Sequence, residues 1–362
     1  MVTKRYFGDT PAGEKVTAFK IGNSFGEFVE VLDYGATVFA ISVKDGFGGI
    51  RDVNLGYDTV AEYISEDTHF GATIGRTVNR ISGCKFTLNG KTYELADNDG
   101  GVSIHGGFEG FDRKMFDAEV CGEESVIFSR LSPDGEENYP GNLEFSVKFT
   151  FGDDHALVID YNAVSDADTI FMPTNHSYFN LDGHDSGHNI YSQKLLLNAG
   201  YVTPLGADFT PSGELAAVEG TPYDFTEFKE IGRDIDEDNA QLKFAGGYDI
   251  NFVLKNGKPV LPEKFAGVTL DSNLNFAALA YSDESGICMA VETDLPCTQL
   301  YTGNFMKQSG GKLGTEYNRR FAFCLETQGY PDAINKPQFP SIVLKKGEKF
   351  ESRTVYAFGV VK

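Results

Sequence analysis

The clearest pattern in the sequence is Leu143-Glu144-Phe145-Ser146-Val147-Lys148-Phe149-Thr150-Phe151, in which every odd position is apolar and every even position is polar. A period of two places one face of a β-strand in a core and the other face in water. The alternation resumes over residues 156–163 after the turn Gly152-Asp153-Asp154. These two segments therefore predict an antiparallel hairpin.

The same strand character recurs along the whole chain, with short turns rich in Gly, Asp and Asn between the segments. Further strands are expected at residues 15–21, 27–32, 37–43, 124–131, 192–197, 273–281, 287–293 and 353–361. Helices are few; residues 59–65 and 225–234 are the two candidates. The pattern predicts an all-β fold, a large antiparallel β-sandwich in which residues 1–362 form one domain.

The composition excludes several classes of partner. Lys and Arg number 31 and Asp and Glu 53, which gives a formal net charge of −22. Such a surface repels phosphate backbones and anionic lipid headgroups, so we expect neither a nucleic acid nor a membrane as partner. A neutral small molecule would be little affected by this field.

The five cysteines are scattered and form no CxxC pair. Their odd number and wide spacing argue against a disulfide framework and against a thiolate zinc site. Residues 1–8 include the charged side chains Lys4 and Arg5 and contain no apolar run, so we expect no signal peptide. Reduced thiols then favour a cytoplasmic location.

The first candidate for chemistry is Thr174-Asn175-His176-Ser177-Tyr178-Phe179-Asn180-Leu181. It contains one of the six histidines in the chain. Aromatic rings can cover the C–H faces of a sugar, while amides and an imidazole read its hydroxyl groups. A histidine satisfied within the core is the equally weighted alternative for His176.

A second candidate is Gly100-Gly101-Val102-Ser103-Ile104-His105-Gly106-Gly107, where glycines allow tight turns and close approach of a ligand. Neither the spacing of a phosphate-binding loop nor a following helix is present, so that function is disfavoured. An exposed glycine-rich turn is the remaining alternative.

A third candidate is Glu326 in Leu325-Glu326-Thr327-Gln328-Gly329-Tyr330-Pro331-Asp332-Ala333. Residues 321–325 read as a buried strand, and Glu326 would lie at its end, partly shielded from water. Desolvation raises the pKa of a carboxyl group and a neighbouring imidazolium lowers it, so Glu326 could act as a general base. A glutamate that caps a surface loop is the alternative.

Weaker signals come from Arg76, the pair Asn79-Arg80, Asp249 and Gln299, each of which ordinary structural roles could explain. The pair His184 and His188 imitates a metal site, but Asp182-Gly183 and Ser186-Gly187 indicate a loop. Without a convincing third ligand we expect no metal at this pair.

Taken together, these stretches resemble the galactose mutarotase (aldose 1-epimerase) family. The motifs are GATIGRTVNRISGCKF at 71–86, IHGG at 104–107, TNHSYFNL at 174–181, TPLG at 203–206, YTGNF at 301–305 and LETQGYPDA at 325–333. The resemblance implies a β-sandwich with an open substrate cleft, His176 as general acid and Glu326 as general base. It also implies that the sugar hydroxyls are bound by Asn79, Arg80, His105, Asp249 and Gln299, with Tyr178 alongside His176. Arg76 lies in the same motif as Asn79 and Arg80, and we interpret it as structural.

The chain departs from the family in one motif, where Ile250 replaces the histidine that often follows the aspartate. Asp249 itself is present, so we expect a difference in sugar preference rather than a loss of activity. The chain has no tryptophan, and Phe305 is the candidate for an aromatic platform.

The chemistry implied by the resemblance requires no cofactor, because one base and one acid suffice to open a hemiacetal. Glu326 takes the proton of the C1 hydroxyl and His176 protonates the ring oxygen O5; reclosure of the rotated aldehyde gives the other anomer. We expect the pair to start as glutamate and imidazolium, each charge favouring the other.

Three alternatives remain open at this point. A glycosidase would use two carboxyl groups rather than Glu plus His. A non-catalytic sugar-binding module would need the aromatic cleft but not both residues. An epimerase for phosphorylated sugars would place additional cations in the cleft. The preferred aldose, the acceptance of disaccharides and the oligomeric state are not indicated by the sequence.

Overall fold

The structure is a computed structural model that describes residues 1–265, 267–271 and 273–362, and strands dominate it. The strands in the first half of the chain are β1 (Val2–Asp9), β2 (Lys15–Gly22), β3 (Phe28–Leu32), β4 (Thr37–Lys44), β5 (Ile50–Asp52), β6 (Thr73–Ile74), β7 (Arg80–Ser82), β8 (Lys85–Leu88), β9 (Lys91–Glu94), β10 (Val102–Ile104), β11 (Asp117–Cys121), β12 (Ser125–Ser132), β13 (Leu143–Phe151), β14 (Ala156–Ser165), β15 (Thr169–Ile170) and β16 (Thr174–Asn175).

The second half adds the strands that complete the sheets. They are β17 (Lys194–Leu197), β18 (Ala199–Val202), β19 (Ala216–Ala217), β20 (Lys229–Glu230), β21 (Asp249–Leu254), β22 (Asn275–Tyr281), β23 (Ile287–Thr293), β24 (Cys297–Tyr301), β25 (Cys324–Gln328), β26 (Val343–Leu344) and β27 (Lys349–Val360). The ten strands expected from alternation are all present, with ends shifted by up to four residues.

Three large antiparallel sheets contain 19 of these strands, and the other eight form two-stranded sheets. The largest has the order β11-β12-β13-β14-β27-β23-β22-β17-β20, and two five-stranded sheets have the orders β1-β2-β3-β4-β5 and β19-β18-β21-β24-β25. The smaller sheets pack on the large one, which confirms the predicted antiparallel β-sandwich.

The predicted hairpin forms the middle of the large sheet. Strands β13 and β14 pair from Leu143 opposite Ser165 to Phe151 opposite Leu157. Along β13 the odd positions are buried and the even ones are at least partly exposed, as the sequence predicted. The buried face packs inwards; for example, the rings of Phe128 on β12 and Phe19 on β2 meet edge to face at 5.4 Å.

The described residues form two short α-helices. α1 (Val60–Ser65) confirms the first expected helix, and a reciprocal pair of hydrogen bonds between Thr59 and Glu62 caps it. α2 (Ala240–Ala245) is capped by Asn239. No helix formed by the described residues combines the length and apolar character that crossing a bilayer requires.

The prediction of a helix at residues 225–234 was wrong. Lys229–Glu230 instead forms the edge strand β20, paired with β17. The ammonium group of Lys229 is buried, where it donates to the carboxylate of Asp234 and lies 3.9 Å from the ring centre of Phe225. These tertiary contacts, rather than helical periodicity, determine the local conformation.

Candidate active site

One cleft of about 310 Å³ contains all eight residues that the sequence assigned to catalysis or sugar binding. They are Asn79, Arg80, His105, His176, Tyr178, Asp249, Gln299 and Glu326. This volume lies at the small end of the range for ligand pockets and suits a single sugar ring. A larger depression of about 870 Å³ lies beside Tyr201 and Lys255, but its described lining includes no histidine.

Three adjacent strands form the floor of the cleft. Gln299 in the central strand β24 is opposite Asn251 of β21 on one side and Glu326 of β25 on the other. Since residues two positions apart in a strand share a face, Asp249 and Cys324 project from the same face. The sheet therefore presents a row of polar side chains to the cleft.

Glu326 lies in the middle of β25 and not at the end of a strand, which corrects the predicted placement. The apolar residues Phe321 and Phe323 precede the strand and are buried in two different core clusters. Phe323 also forms an isolated antiparallel bridge with Phe179, and β25 begins at Cys324, so the strand starts within the predicted apolar segment and extends past Glu326.

His176 follows strand β16 and faces Glu326 across the floor. The distance from His176 Nε2 to Glu326 Oε2 is 3.6 Å, and both side chains are almost fully buried. The Tyr178 ring stacks on the imidazole with centres 4.9 Å apart. Oε2 of Glu326 is buried and has no hydrogen-bond partner among the described residues, so a hydroxyl group that reached it would satisfy an unpaired acceptor.

Cys324 covers the other edge of the imidazole. Its Sγ lies 3.6 Å from His176 Nδ1. Burial first, and then the nearby carboxyl groups of Glu326 and Asp249, raise the pKa of this thiol well above its usual range, so it remains protonated. With Nδ1 occupied by the thiol, Nε2 is the nitrogen that can exchange a proton with a ligand.

Burial decides the protonation of the facing pair. Burial and the charge of Asp249 raise the pKa of Glu326 to about 8, against an opposing effect of Arg80. Burial and the charge of His69 lower the pKa of His176 to about 3. Our expectation of mutually stabilised charges was therefore wrong, because desolvation penalises both charged forms.

Arg80 and Asp249 are linked across the cleft by a polar network. Arg80 Nε donates to Asp99 at 2.7 Å, and its NH1 lies 3.8 Å from Asp249. Gln299 Nε2 donates to Asp249 at 2.7 Å, and Gln299 Oε1 accepts a hydrogen bond from Gln328 Nε2. The carboxylates of Asp99 and Asp249 thereby hold the Arg80 guanidinium in place. The side-chain amide of Gln299, itself held by Gln328, orients Asp249.

Asn79 and His105 approach each other through their backbones. Both residues have a positive backbone φ, at 64° and 53°, a conformation that residues other than glycine rarely adopt. The backbone N–H of His105 donates to the Asn79 carbonyl, and that of Asn79 donates to His105 Nδ1. Left-handed residues concentrate at functional sites, where the surrounding structure compensates for their strain.

His69 is a cleft residue that the sequence analysis missed. Its ring centre is 4.9 Å from that of His105 and 5.9 Å from that of His176. The available signal was its position two residues before the motif that begins at Gly71, in a chain with six histidines.

Arg76 and Ile250 do not line the cleft. Arg76 is buried and donates to the carbonyl oxygens of Ser132, Pro140 and Gly141, so it fixes a loop away from the cleft. Ile250, the departure from the family pattern, is buried in the main core. It alternates with Asp249 and therefore projects from the opposite face of β21.

The two histidines of the apparent metal motif have different partners. His184 Nδ1 lies 3.2 Å from the Tyr317 hydroxyl, and His188 Nδ1 lies 3.2 Å from Glu284. Within the cleft, His176, Cys324 and Glu326 are close together. However, the thiol and the carboxyl group face opposite nitrogens of one imidazole, and a metal ion binds to only one of them.

Comparison with known proteins places this site in context. A sequence profile described as aldose 1-epimerase matches residues 17–357. The chain is 40% identical to the galactose mutarotase of Bos taurus over 361 residues, with 99% of each chain covered. It is 32% identical to the aldose 1-epimerase of Escherichia coli K12, with 96% of each chain covered.

Similarity extends to solved structures. A crystal structure described as galactose 1-epimerase from Lactobacillus acidophilus NCFM superposes with a TM-score of 0.84 at 26% identity. The superposition covers 100% of this chain and 99% of the other. The similarity therefore includes every strand of the cleft floor.

Proposed function

This chain belongs to the aldose 1-epimerase family and is an isomerase; on that premise, we propose that Glu326 and His176 carry out the two proton transfers of anomer interconversion. The observation that carries the proposal is the 3.6 Å approach of Glu326 Oε2 to His176 Nε2 at the floor of the cleft. The O1 and O5 atoms of a pyranose are bonded to the same carbon. One ring can therefore offer O1 to the carboxylate and O5 to the imidazole.

The pair carries one proton over the physiological range. With the pKa of His176 at about 3 and that of Glu326 at about 8, the pair holds a single proton at the pH values between them, mainly on Glu326. When that proton is on His176, the pair is ready to open the ring; when it is on Glu326, the pair is ready to close it. The two protonation states are thus the beginning and the end of one ring opening.

The reaction step balances within this pair. Glu326 takes the proton of the C1 hydroxyl while the C1–O1 bond becomes a carbonyl. The C1–O5 bond breaks, its electron pair goes to O5, and O5 receives the proton from His176. Rotation about C1–C2 and the reverse transfers give the other anomer. Each positioned proton transfer contributes roughly 10²–10⁴-fold to the rate.

The remaining cleft residues bind the sugar hydroxyl groups in this proposal. Asp249 offers a carboxylate oriented by Gln299, and Arg80 offers the guanidinium N–H groups left free by Asp99. The three other residues assigned to hydroxyl binding or packing are Asn79, His105 and Tyr178.

The cleft suits a neutral aldose rather than a phosphorylated one. Arg80 is the sole Lys or Arg among the described residues that line it, and carboxylates on two sides already engage this guanidinium. A phosphate group would need cations that are not committed to such partners. Galactose and glucose are therefore the first substrates to test.

Polarimetry tests the proposal. Purified protein should accelerate the change in optical rotation of freshly dissolved α-galactose or α-glucose. Glu326→Gln and His176→Asn should each reduce this acceleration by at least about hundredfold, because each removes one proton transfer. Either variant at near-wild-type rates would refute the assignment.

Two controls separate the alternatives. A glycosidase would release new reducing ends from maltose, whereas an epimerase changes only the optical rotation. A non-catalytic binding module would bind sugar in calorimetry without changing the rate of rotation. Either outcome would contradict the proposed function.

We also infer a cytoplasmic location. The five cysteines, Cys84, Cys121, Cys288, Cys297 and Cys324, are all unpaired. Free thiols persist in a reducing compartment. Fractionation of the native cells should therefore recover the activity with the cytosol, and recovery outside the cytosol would contradict the inference.

A further inference from the structure

His69 is a buried, titratable side chain of the cleft to which the reaction described above gives no role. Its Nδ1 lies 3.0 Å from Asp112 Oδ2, and only 15% of its side-chain surface is exposed. Its backbone has a φ of 56°, so it joins Asn79 and His105 as a third left-handed residue beside the catalytic pair. An ionisable group held in a strained conformation at a reaction site suggests a function.

We propose that His69 is a positioning residue that carries a positive charge beside His176 and thereby makes His176 a stronger acid. The proposal rests on the assignment of His176 as the group that protonates O5. Asp112 supplies the partner that keeps His69 charged, and the near-parallel packing of the two imidazoles brings the charge close. The ring centres are 5.9 Å apart, with the planes inclined by 29°.

The charged groups around His69 favour its cationic form. Asp112 and Arg113 face it from the short turn Phe111–Arg113, and Asp67 lies on its own segment, 3.8 Å from Nε2. Burial lowers the pKa of His69, but the hydrogen bond and charge of Asp112, with the charge of Asp67, outweigh burial and Arg113 and raise it. The two neighbouring imidazoles, His105 and His176, are held neutral by burial.

The effect of His69 on the pair has a definite direction. A positive charge near His176 opposes its protonation, and the charge of His69 is second only to burial in lowering the pKa of His176. At about 6 Å and an effective dielectric constant of about 20 to 40, one unit charge shifts a pKa by about one to two units. A His176 imidazolium of lower pKa is a stronger acid, which favours proton donation to the poorly basic ring oxygen O5.

The acid-side limb of the pH–rate profile tests this role. Protonation of His176 while Glu326 is also protonated removes the single-proton state, so kcat/KM falls at low pH. In His69→Gln the positive charge is lost, and this limb should move to higher pH by about one to two units. A purely structural role would lower the rate without moving the limb.

A second variant separates charge from shape. Asp112→Asn retains a hydrogen-bonding side chain but removes the charge that keeps His69 protonated, so it should move the limb in the same direction. His188→Gln is the matched control, because His188 also pairs with a carboxylate but is half-exposed in a different region. Its profile should coincide with that of the wild type.

The NMR titration of the His176 ring gives a readout that does not depend on activity. Its apparent pKa should rise in both variants, whether or not the protein epimerises the sugar tested. Unchanged values in folded His69→Gln and Asp112→Asn would overturn the proposal. Polarimetry of the wild type in parallel distinguishes that result from a failure of the proposed function itself.

Discussion

Glu326 is a carboxyl group buried beneath the cleft, where its charged form is costly. Its pKa rises from 4.5 to about 8, so the folded protein binds a proton that the unfolded chain releases at neutral pH. A group whose folded pKa is raised contributes stability below its unfolded pKa and loses it as the pH rises through the folded value. The lowered pKa of His176 has the opposite effect, because the unfolded chain binds a proton at this residue below about pH 6.5 that the folded protein does not. The two effects offset each other up to about pH 6.5, so the stability of the wild type should decline mainly from about pH 6.5 to pH 8.

Glu326→Gln should remove this decline in stability while slowing catalysis at least about hundredfold. The amide cannot ionise and can donate to His176 Nε2. At pH 9 the variant should be more stable than the wild type by a few kcal/mol, about 1.4 kcal/mol for each unit of pKa shift. Thermal unfolding at pH 5 and pH 9 measures the difference. The surface variant Glu284→Gln is the control, and an equal response of both variants to pH would contradict the account.

At the residue scale, sequence motifs identified the cleft residues but not their charges. All eight assigned residues line one cleft because the motifs preserve their place in the fold. The charge state of Glu326 and His176 depends on desolvation, which no linear pattern reports. His69 and Cys324 were missed for a related reason. Both lie beside the His176 imidazole, and this proximity arises only in the folded chain.

Strand β24 is the element that joins the two sides of the cleft floor. Gln299 bridges Asp249 of β21 and Gln328 of β25 through its amide. The next residue in sequence towards the N-terminus, Thr298, is opposite Phe252 and Thr327 and projects from the other face. One strand therefore carries a row of side chains that faces the cleft and a second row on the opposite, buried face.

Gln299→Leu should weaken the site and the fold together. The substitution leaves the Asp249 carboxylate and the buried Gln328 amide without this partner, at a cost of about 1–3 kcal/mol in unfolding free energy. We expect KM for the sugar to rise several-fold because Asp249 loses its orientation. Denaturant unfolding and initial-rate polarimetry measure both effects.

Thr298→Val is the matched control on the same strand. The Thr298 hydroxyl is buried and has no hydrogen-bond partner among the described residues, so an isosteric apolar side chain should be nearly neutral. If the two variants lose stability equally, the polar row does not stabilise the floor.

At the element scale, long alternating segments were the most predictable. β13 and β14 have strict period-two patterns, and the structure reproduces their pairing. Many of the shortest elements were not predicted, because their conformation depends on distant partners. Residues 229–230 become a strand through pairing with β17, and β25 begins three residues later than the predicted strand at 321–325 and extends past Glu326.

A continuous apolar core connects the beginning of the chain to its end. One cluster of buried side chains includes Phe19, Phe128, Phe252, Leu325 and Tyr356, which come from all three large sheets. The Tyr356 hydroxyl in the large sheet also donates to the carbonyl of Leu325 beneath the cleft. We propose on this basis that residues 1–362 fold as a single domain.

A single domain should unfold in one cooperative transition. Far-ultraviolet circular dichroism and tyrosine fluorescence should give coincident melting curves, and the calorimetric and van't Hoff enthalpies should agree. Tyrosine is the available fluorophore because the chain has no tryptophan. Two separated transitions would contradict the single-domain proposal.

The exchange of [1-¹³C]galactose between its anomers at equilibrium measures ring opening most directly. Magnetisation transfer between the two C1 signals should be fast with the wild type and at least about hundredfold slower with Glu326→Gln or His176→Asn. The double variant should be no slower than either single one, because the two groups act as a unit. Exchange within a few-fold of the wild type in either single variant would contradict the central claim.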